Sequence, residues 1–182
     1  MRCFFVALSA LALSSGVSAL ASPKEILYSG DARLTNLTDG SVSTEQVLLR
    51  KTLDDRASTL TEVACYRDPG KPAVISPVYM KVSGTSMQVS DQQDFSAGKL
   101  TGTGTLQGSS WDWNLLRWNM KYQTPAGLVE ILDVNFVVGN RLIGRKQMFF
   151  NGQPFRLWEA EMEEVSAAEF QSQATAMGCP PF

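Results

Sequence analysis

Between positions 111 and 163 apolar and polar residues alternate, and only turns too short to hold a helix interrupt the alternation. Gly139-Asn140 and Asn151-Gly152 are two-residue turns of the kind that join adjacent antiparallel strands, and a looser turn runs from 123 to 127 around Pro125. A period of two belongs to a strand with one buried face, because successive side chains point to opposite sides of a sheet. Strands over 111–122, 128–138, 141–150 and 153–163 therefore form a meander. A parallel crossover needs a connection several times longer.

Upstream, the same period recurs. Ile26, Tyr28, Gly30, Ala32 and Leu34 make one apolar face before a turn at Asp39-Gly40. Val47, Leu49 and Leu53 belong to a second strand and 59–67 to a third, which ends in the loop Arg67-Asp68-Pro69-Gly70-Lys71-Pro72. Val78, Met80 and Val82 precede Gly84, and Met87 and Val89 follow it. Over 99–107, Leu100, Gly102, Gly104 and Leu106 alternate with polar residues, and glycines inside a strand mark sharp bending or close packing. Only after Val165 does the pattern turn helical. Ser166 and Glu169 form a capping box, Ala167, Phe170, Ala174 and Met177 share a face, and Gly178 is a natural stop.

About eight to ten antiparallel strands in chain order predict an all-β fold, an up-and-down barrel closed on itself with a C-terminal helix, about 166–177, packed outside. A membrane barrel is the structural rival, because the chain ends in the aromatic Phe182. Pro180-Pro181 cannot belong to a closing strand, however, and the helix intervenes.

The 182 residues, 44% of them hydrophobic, suit one domain over 22–182 behind a secretory leader over 1–21. In the leader Arg2 supplies the positive end, the apolar run starts at Phe4, and small residues lead to cleavage after Ala19 or Ala21. The run is too short to span a bilayer, and no later segment reads as a membrane helix. An exported chain, periplasmic or extracellular, is expected. Loss of Arg2 takes the net charge from −2 to −3, so nothing resembles the basic footprint of a nucleic-acid binder. Cys65 and Cys179 remain, and in an oxidising compartment their simplest state is one disulfide closing a long loop, worth about 4 kcal/mol; two free or metal-binding thiols are the alternative. The chain has no histidine, which excludes Ser-His-Asp and Cys-His catalysis and histidine-held haem or zinc. No cofactor or metal motif is present. Glu159, Glu161 and Glu163 read as a solvated outer face rather than a calcium site, and Asn36-Leu37-Thr38 is a glycosylation sequon relevant only in a eukaryotic secretory pathway.

At the level of architecture the chain resembles the calycins, the lipocalin and fatty-acid-binding barrels, over nearly all of its mature length. The resemblance is one of fold and not of motif: where lipocalins carry Gly-x-Trp near the first strand, this chain reads Gly30-Asp31-Ala32. It implies a barrel with an enclosed interior, and a shared fold does not by itself assign a function.

Turn geometry predicts which residues face that interior. The strand over 111–122 holds three of the four tryptophans and changes phase midway: Trp111, Trp113 and Leu115 share one face, and Leu116, Trp118, Met120 and Tyr122 share the other. The change requires a bulge, expected at Leu115-Leu116, which would leave Trp111 and Trp113 outside or at the rim, as packing or as a stacking platform for a flat ligand. Centring the loose turn on Pro125 sets Trp118 opposite Leu132 and Met120 opposite Glu130. The two tight turns then give the rows Trp118, Leu132, Gln147, Arg156 and Leu116, Val134, Arg145, Trp158, with Phe136 on the same face. Two arginines beside two tryptophans suit a ligand with an acidic head and an apolar or aromatic body. Fatty-acid-binding barrels hold a carboxylate with interior arginines and a tyrosine, and the resemblance implies Tyr122 as the third partner. Otherwise Arg145 and Arg156 pair with Glu130 and loop acids at a barrel mouth.

The opposite face carries Ile131, Met148, Phe150, Phe155 and Leu157, where the final helix is expected to dock; left exposed, they would form an interaction patch. The leading expectation is thus an exported, non-enzymatic binder using Trp118, Tyr122, Glu130, Phe136, Arg145, Gln147, Arg156 and Trp158. A filled structural or protein-interaction barrel is the alternative. A histidine-free isomerase or cyclase with Glu130 as acid and base is the third. No protein partner is specified by the sequence.

Overall fold

The computed structural model describes residues 22–98, 100–108 and 113–182. The leader and Trp111 lie outside the described residues. Ten strands follow in chain order: β1 (Lys24–Asn36), β2 (Val42–Asp54), β3 (Thr59–Arg67), β4 (Val74–Ser83), β5 (Ser86–Ser90), β6 (Thr101–Gly108), β7 (Trp113–Thr124), β8 (Gly127–Val138), β9 (Arg141–Phe150) and β10 (Gln153–Glu164). Each pairs antiparallel with its sequence neighbours, and β1 pairs with β10 from Tyr28↔Glu164 to Asn36↔Arg156, so the sheet closes into an up-and-down barrel. One helix, α1 (Ala167–Met177), follows. The expected fold class is the one observed.

Closure brings backbones together where side chains are missing. A Cβ on Gly102 would overlap the Asn119 carbonyl on β7, and one on Gly30 would overlap the Glu161 carbonyl across the β1–β10 seam. The glycines of β6 are therefore a packing requirement of the closed sheet.

Two bulges and one tight turn decide which side chains point inward. On β7, Leu115 pairs with Gln107 but Trp113 pairs with Gly108, so the extra residue is Asn114. The expected bulge exists one residue earlier than Leu115-Leu116. Trp113 consequently turns inward with Leu116, Trp118 and Met120, and is buried rather than at the rim.

The β7–β8 turn is tighter than a turn centred on Pro125. Thr124 pairs with Gly127, leaving only Pro125 and Ala126 between them, and Thr124 Oγ1 accepts the Ala126 and Gly127 amides at 3.2 and 3.1 Å. Trp118 therefore sits opposite Asp133 and not Leu132, and Met120 opposite Ile131 and not Glu130. A one-residue slip sends alternate side chains to the other face. Asp133 and Asn135 turn inward, and Leu132, Val134 and Phe136 turn outward.

The Gly139-Asn140 hairpin keeps its expected register, Val138↔Arg141 and Val134↔Arg145, so β9 inherits the inversion. Lys146 faces the interior and Arg145 the solvent. A second bulge, at Phe155, lies between Pro154↔Phe149 and Arg156↔Met148. It sets Arg145 opposite Glu159 and Gln147 opposite Leu157, in place of Trp158 and Arg156, and restores the expected face of β10. Trp158, Ala160 and Met162 are buried in the core.

Helix α1 packs outside the barrel, but not against the patch expected to receive it. Ile131 and Met148 point inward, and the helix instead buries Phe170, Ala174 and Met177 against Leu27, Leu48 and Cys65 of β1, β2 and β3. Ser166 caps its first turn by accepting the Glu169 amide at 3.2 Å, and Gly178 ends it at φ 70°. Cys65 and Cys179 form a disulfide with their Cα atoms 6.2 Å apart. Arg67 donates to the Ala176 carbonyl at 2.7 Å, and Phe182 folds back on Phe170 with ring centroids 4.9 Å apart.

Candidate functional site

The interior is filled at one end and hollow at the other. At the filled end Trp113, Leu53, Leu60, Leu116, Leu142 and Met162 are buried in contact with one another. At the other end, ringed by the β1–β2, β3–β4, β5–β6, β7–β8 and β9–β10 connections, a cavity of about 330 Å³ opens to solvent. Its wall is largely apolar, with Trp118, Met120, Ile131, Met148 and Trp158. Asp68, Lys71 and Arg156 also line it, joined by Glu45, Tyr66 and Lys146.

Tyr66 and Lys146 separate this cavity from a much smaller void that reaches Glu62 and Asn135. The Lys146 ammonium donates to the Tyr66 hydroxyl at 2.8 Å, lies 3.5 Å from Asp133 Oδ2, and sits 4.6 Å from the ring centroid of Trp158. Tyr66 and Trp158 meet edge-on, with centroids 6.0 Å apart. Below them Asn135 donates to Asp133 Oδ1 at 2.5 Å, and Lys51 pairs with Glu62 at 2.5 Å while lying over the Trp113 ring. Nearer the mouth the Trp158 indole N–H donates to Glu45 at 2.5 Å.

Among the described residues six buried side-chain atoms lack a hydrogen bond, Arg50 Nε, Lys51 Nζ, Glu62 Oε1, Asp68 Oδ1, Trp118 Nε1 and Asp133 Oδ2, of which those of Lys51, Glu62 and Asp133 lie in ion pairs. Asp133 Oδ2 accepts none, and the Trp118 indole N–H has no acceptor.

Burial sets the protonation of this cluster. It raises the Asp133 carboxyl from 3.8 to about 7, although the Lys146 and Lys51 ammoniums pull the other way. It lowers Lys51, which Glu62 resists, and raises the Tyr66 phenol and the Glu45 carboxyl. Burial also works to lower Lys146, but the Tyr66 oxygen and the Asp133 carboxylate outweigh it, so its ammonium is held well above the usual range. The Lys146 side chain keeps 17% of its surface open.

Of the residues expected to form the site, Trp118, Trp158 and Arg156 line the cavity together. Arg145 does not: its side chain is 64% exposed and faces Glu159 at 3.6 Å on the outer surface. Phe136 is exposed, and Gln147 faces outward with it. Glu130 pairs outside with Lys121 at 2.9 Å, which removes the acid required by the isomerase or cyclase alternative. Tyr122 is half-buried and does not line the cavity. Each displacement on β8 and β9 follows from the tight Pro125-Ala126 turn.

The residues that replace them are Glu45, Tyr66, Asp133 and Lys146, with Lys51 and Glu62 below. Lys51 and Glu62 had a signal: Lys51 continues the apolar phase Val47, Leu49, Leu53, and Glu62 stands between Leu60 and Ala64. A charge in an apolar phase marks a buried polar group. Asp133 and Lys146 had none, because their faces depend on the turn. No protein-family model, curated protein or solved structure matches the chain.

Proposed function

We propose that this chain is an exported, calycin-like barrel that binds a small amphipathic organic acid, without chemistry, in the cavity at its open end. The observation that carries the reading is an apolar, solvent-open cavity of about 330 Å³ with Lys146 and the rings of Trp118 and Trp158 in its lining. That volume lies at the small end of ligand pockets, which suits a compact, flat body between Trp118 and Trp158 better than a long chain. The acidic group meets Lys146 and Tyr66, while Arg156 at the mouth draws anions in. The Cys65–Cys179 disulfide supports an oxidising compartment.

Titration calorimetry with naphthalene-1-sulfonate, against neutral 1-naphthalenemethanol, tests this. The expected result is saturable binding of the sulfonate, weakened at least tenfold by Lys146→Met, several-fold by Trp118→Phe, and unchanged by Arg145→Ala. Trp118→Phe shortens this wall of the cavity and removes the indole N–H, so circular dichroism of each variant separates lost recognition from lost folding. Equal affinity for both compounds, or binding indifferent to Lys146 and Trp118, overturns the reading.

A protein-interaction role has its own observation. Leu132, Phe136 and Ile143 stand about 40% exposed on the outer face of β8 and β9, and Phe136 is cross-strand from both Leu115 and Ile143.

A further inference from the structure

We infer that anion binding in this cavity is coupled to uptake of one proton by Asp133, which yields its place as counter-ion of Lys146 to the incoming ligand. The inference rests on the binding reading above and adds its regulation.

The charges of the interior make the case. Two ammoniums, Lys51 and Lys146, face two carboxyls, Glu62 and Asp133, in the same enclosed cluster. Lys51 and Glu62 are committed to each other at 2.5 Å, with side chains 0% and 7% exposed. Lys146 alone reaches the cavity, and its carboxylate partner is Asp133, set 3.5 Å away and buried. A ligand anion at Lys146 adds a third negative charge to a cluster with two positive ones. Uncompensated charge in a low-dielectric interior is costly, and the least costly remedy is to neutralise a carboxyl.

Asp133 is the carboxyl placed to accept that proton. Glu62 has its own ammonium in contact. The groups facing Asp133 are Asn135 on its own strand, Lys146 on β9, Lys51 on β2, Glu62 and Tyr66 on β3, and its cross-strand neighbour Trp118 on β7. Asn135 donates to Oδ1, whereas Oδ2 faces the Lys146 ammonium at 3.5 Å and is freed when that ammonium turns to the ligand. The proton from solvent therefore goes to Oδ2. No covalent bond other than this O–H forms, and the ligand enters as the anion. Burial already holds this carboxyl at about 7, so small changes in its surroundings move it across neutral pH.

A sulfonate separates this coupling from ligand titration, because it stays ionised throughout. Naphthalene-1-sulfonate is titrated into the full disulfide-bonded protein at pH 7.5 in phosphate, Hepes and Tris. Buffers of different ionisation enthalpy then report the protons taken up. The expected result is an uptake of up to about three quarters of a proton per ligand at pH 7.5, because a carboxyl at about 7 is already partly protonated there, with affinity falling up to tenfold per pH unit between pH 7 and 9. Asp133→Asn is expected to bind at least as tightly, with no proton uptake and a flat pH profile; Glu130→Gln, on the outer face, is expected to keep the uptake.

Binding by the wild type without proton uptake overturns the inference and leaves the binding reading standing. Uptake that survives in Asp133→Asn also overturns it, by assigning the proton elsewhere. Absence of sulfonate binding at every pH overturns both. The wild-type buffer series stands by itself should Asp133→Asn fail to fold.

Discussion

Lys51 and Glu62 show how one residue constrains a barrel interior. Each occupies an inward position among leucines, and each is tolerable only because the other lies across the β2–β3 pair at Lys51↔Glu62. Removing one partner of a buried pair strands the other, whereas replacing both with apolar groups of similar size is often neutral. Lys51→Met is therefore expected to lower unfolding free energy by about 3–5 kcal/mol, and Lys51→Met combined with Glu62→Leu to recover most of it. Chemical denaturation of the three proteins measures this. Strictly additive effects would mean that the pair is not an energetic unit. At this scale the sequence was partly legible: a lysine in an apolar phase is visible without coordinates. Asp133 and Lys146 were not, because nothing in their own strands says whether they or Leu132 and Arg145 face inward.

At the scale of elements, the helix and its disulfide act as a clasp on β1, β2 and β3. Phe170, Ala174 and Met177 cover Leu27, Leu48 and Cys65, which would otherwise be exposed apolar surface on the outside of the barrel. The Cys65–Cys179 bridge closes a loop spanning 114 positions, from the end of β3 through β4–β10 and α1. In the chain-entropy model such a loop is worth about 4–5 kcal/mol. Reduction, or paired Cys65→Ala and Cys179→Ala substitution, is expected to lower stability by about that amount while the far-UV signature of the barrel persists in native buffer. Circular dichroism under oxidising and reducing conditions, with guanidinium titration, checks both halves. Existence, type and order of the elements were legible because period-two patterning, hairpin turns and a capped helix are local signals. The docking face of the helix was not: its apolar residues fit any apolar patch, and the expected patch had itself been assigned to the wrong side.

For the whole molecule, the interior carboxyls make stability depend on pH in an unusual sense. Burial raises both Asp133 and Glu45 above their unfolded values, so each favours the fold in its neutral form. That contribution is fully present below about pH 4 and is lost as pH rises towards about 7. Asp39 and Asp94, exposed and lowered by hydrogen bonds from Ser41 and Ser96, act in the opposite sense but only below their unfolded value of 3.8. Unfolding free energy is therefore expected to fall between pH 4.5 and 7.5, by up to about 4 kcal/mol for Asp133 alone. Asp133→Asn is expected to flatten most of that slope. Guanidinium unfolding at several pH values decides it, and a wild-type stability that rises across this window would contradict the assignment. By itself, the sequence determined an all-β meander of about ten strands, closed by a glycine-bearing sheet and followed by a capped helix, with two cysteines available to join. Those features follow from local periodicity and turn chemistry, which neighbouring residues specify among themselves. Only the tertiary structure decided which faces of β7, β8, β9 and β10 line the barrel. That choice rests on Thr124 pairing with Gly127 and on single extra residues at Asn114 and Phe155, and in a strand of period two one residue exchanges inside for outside.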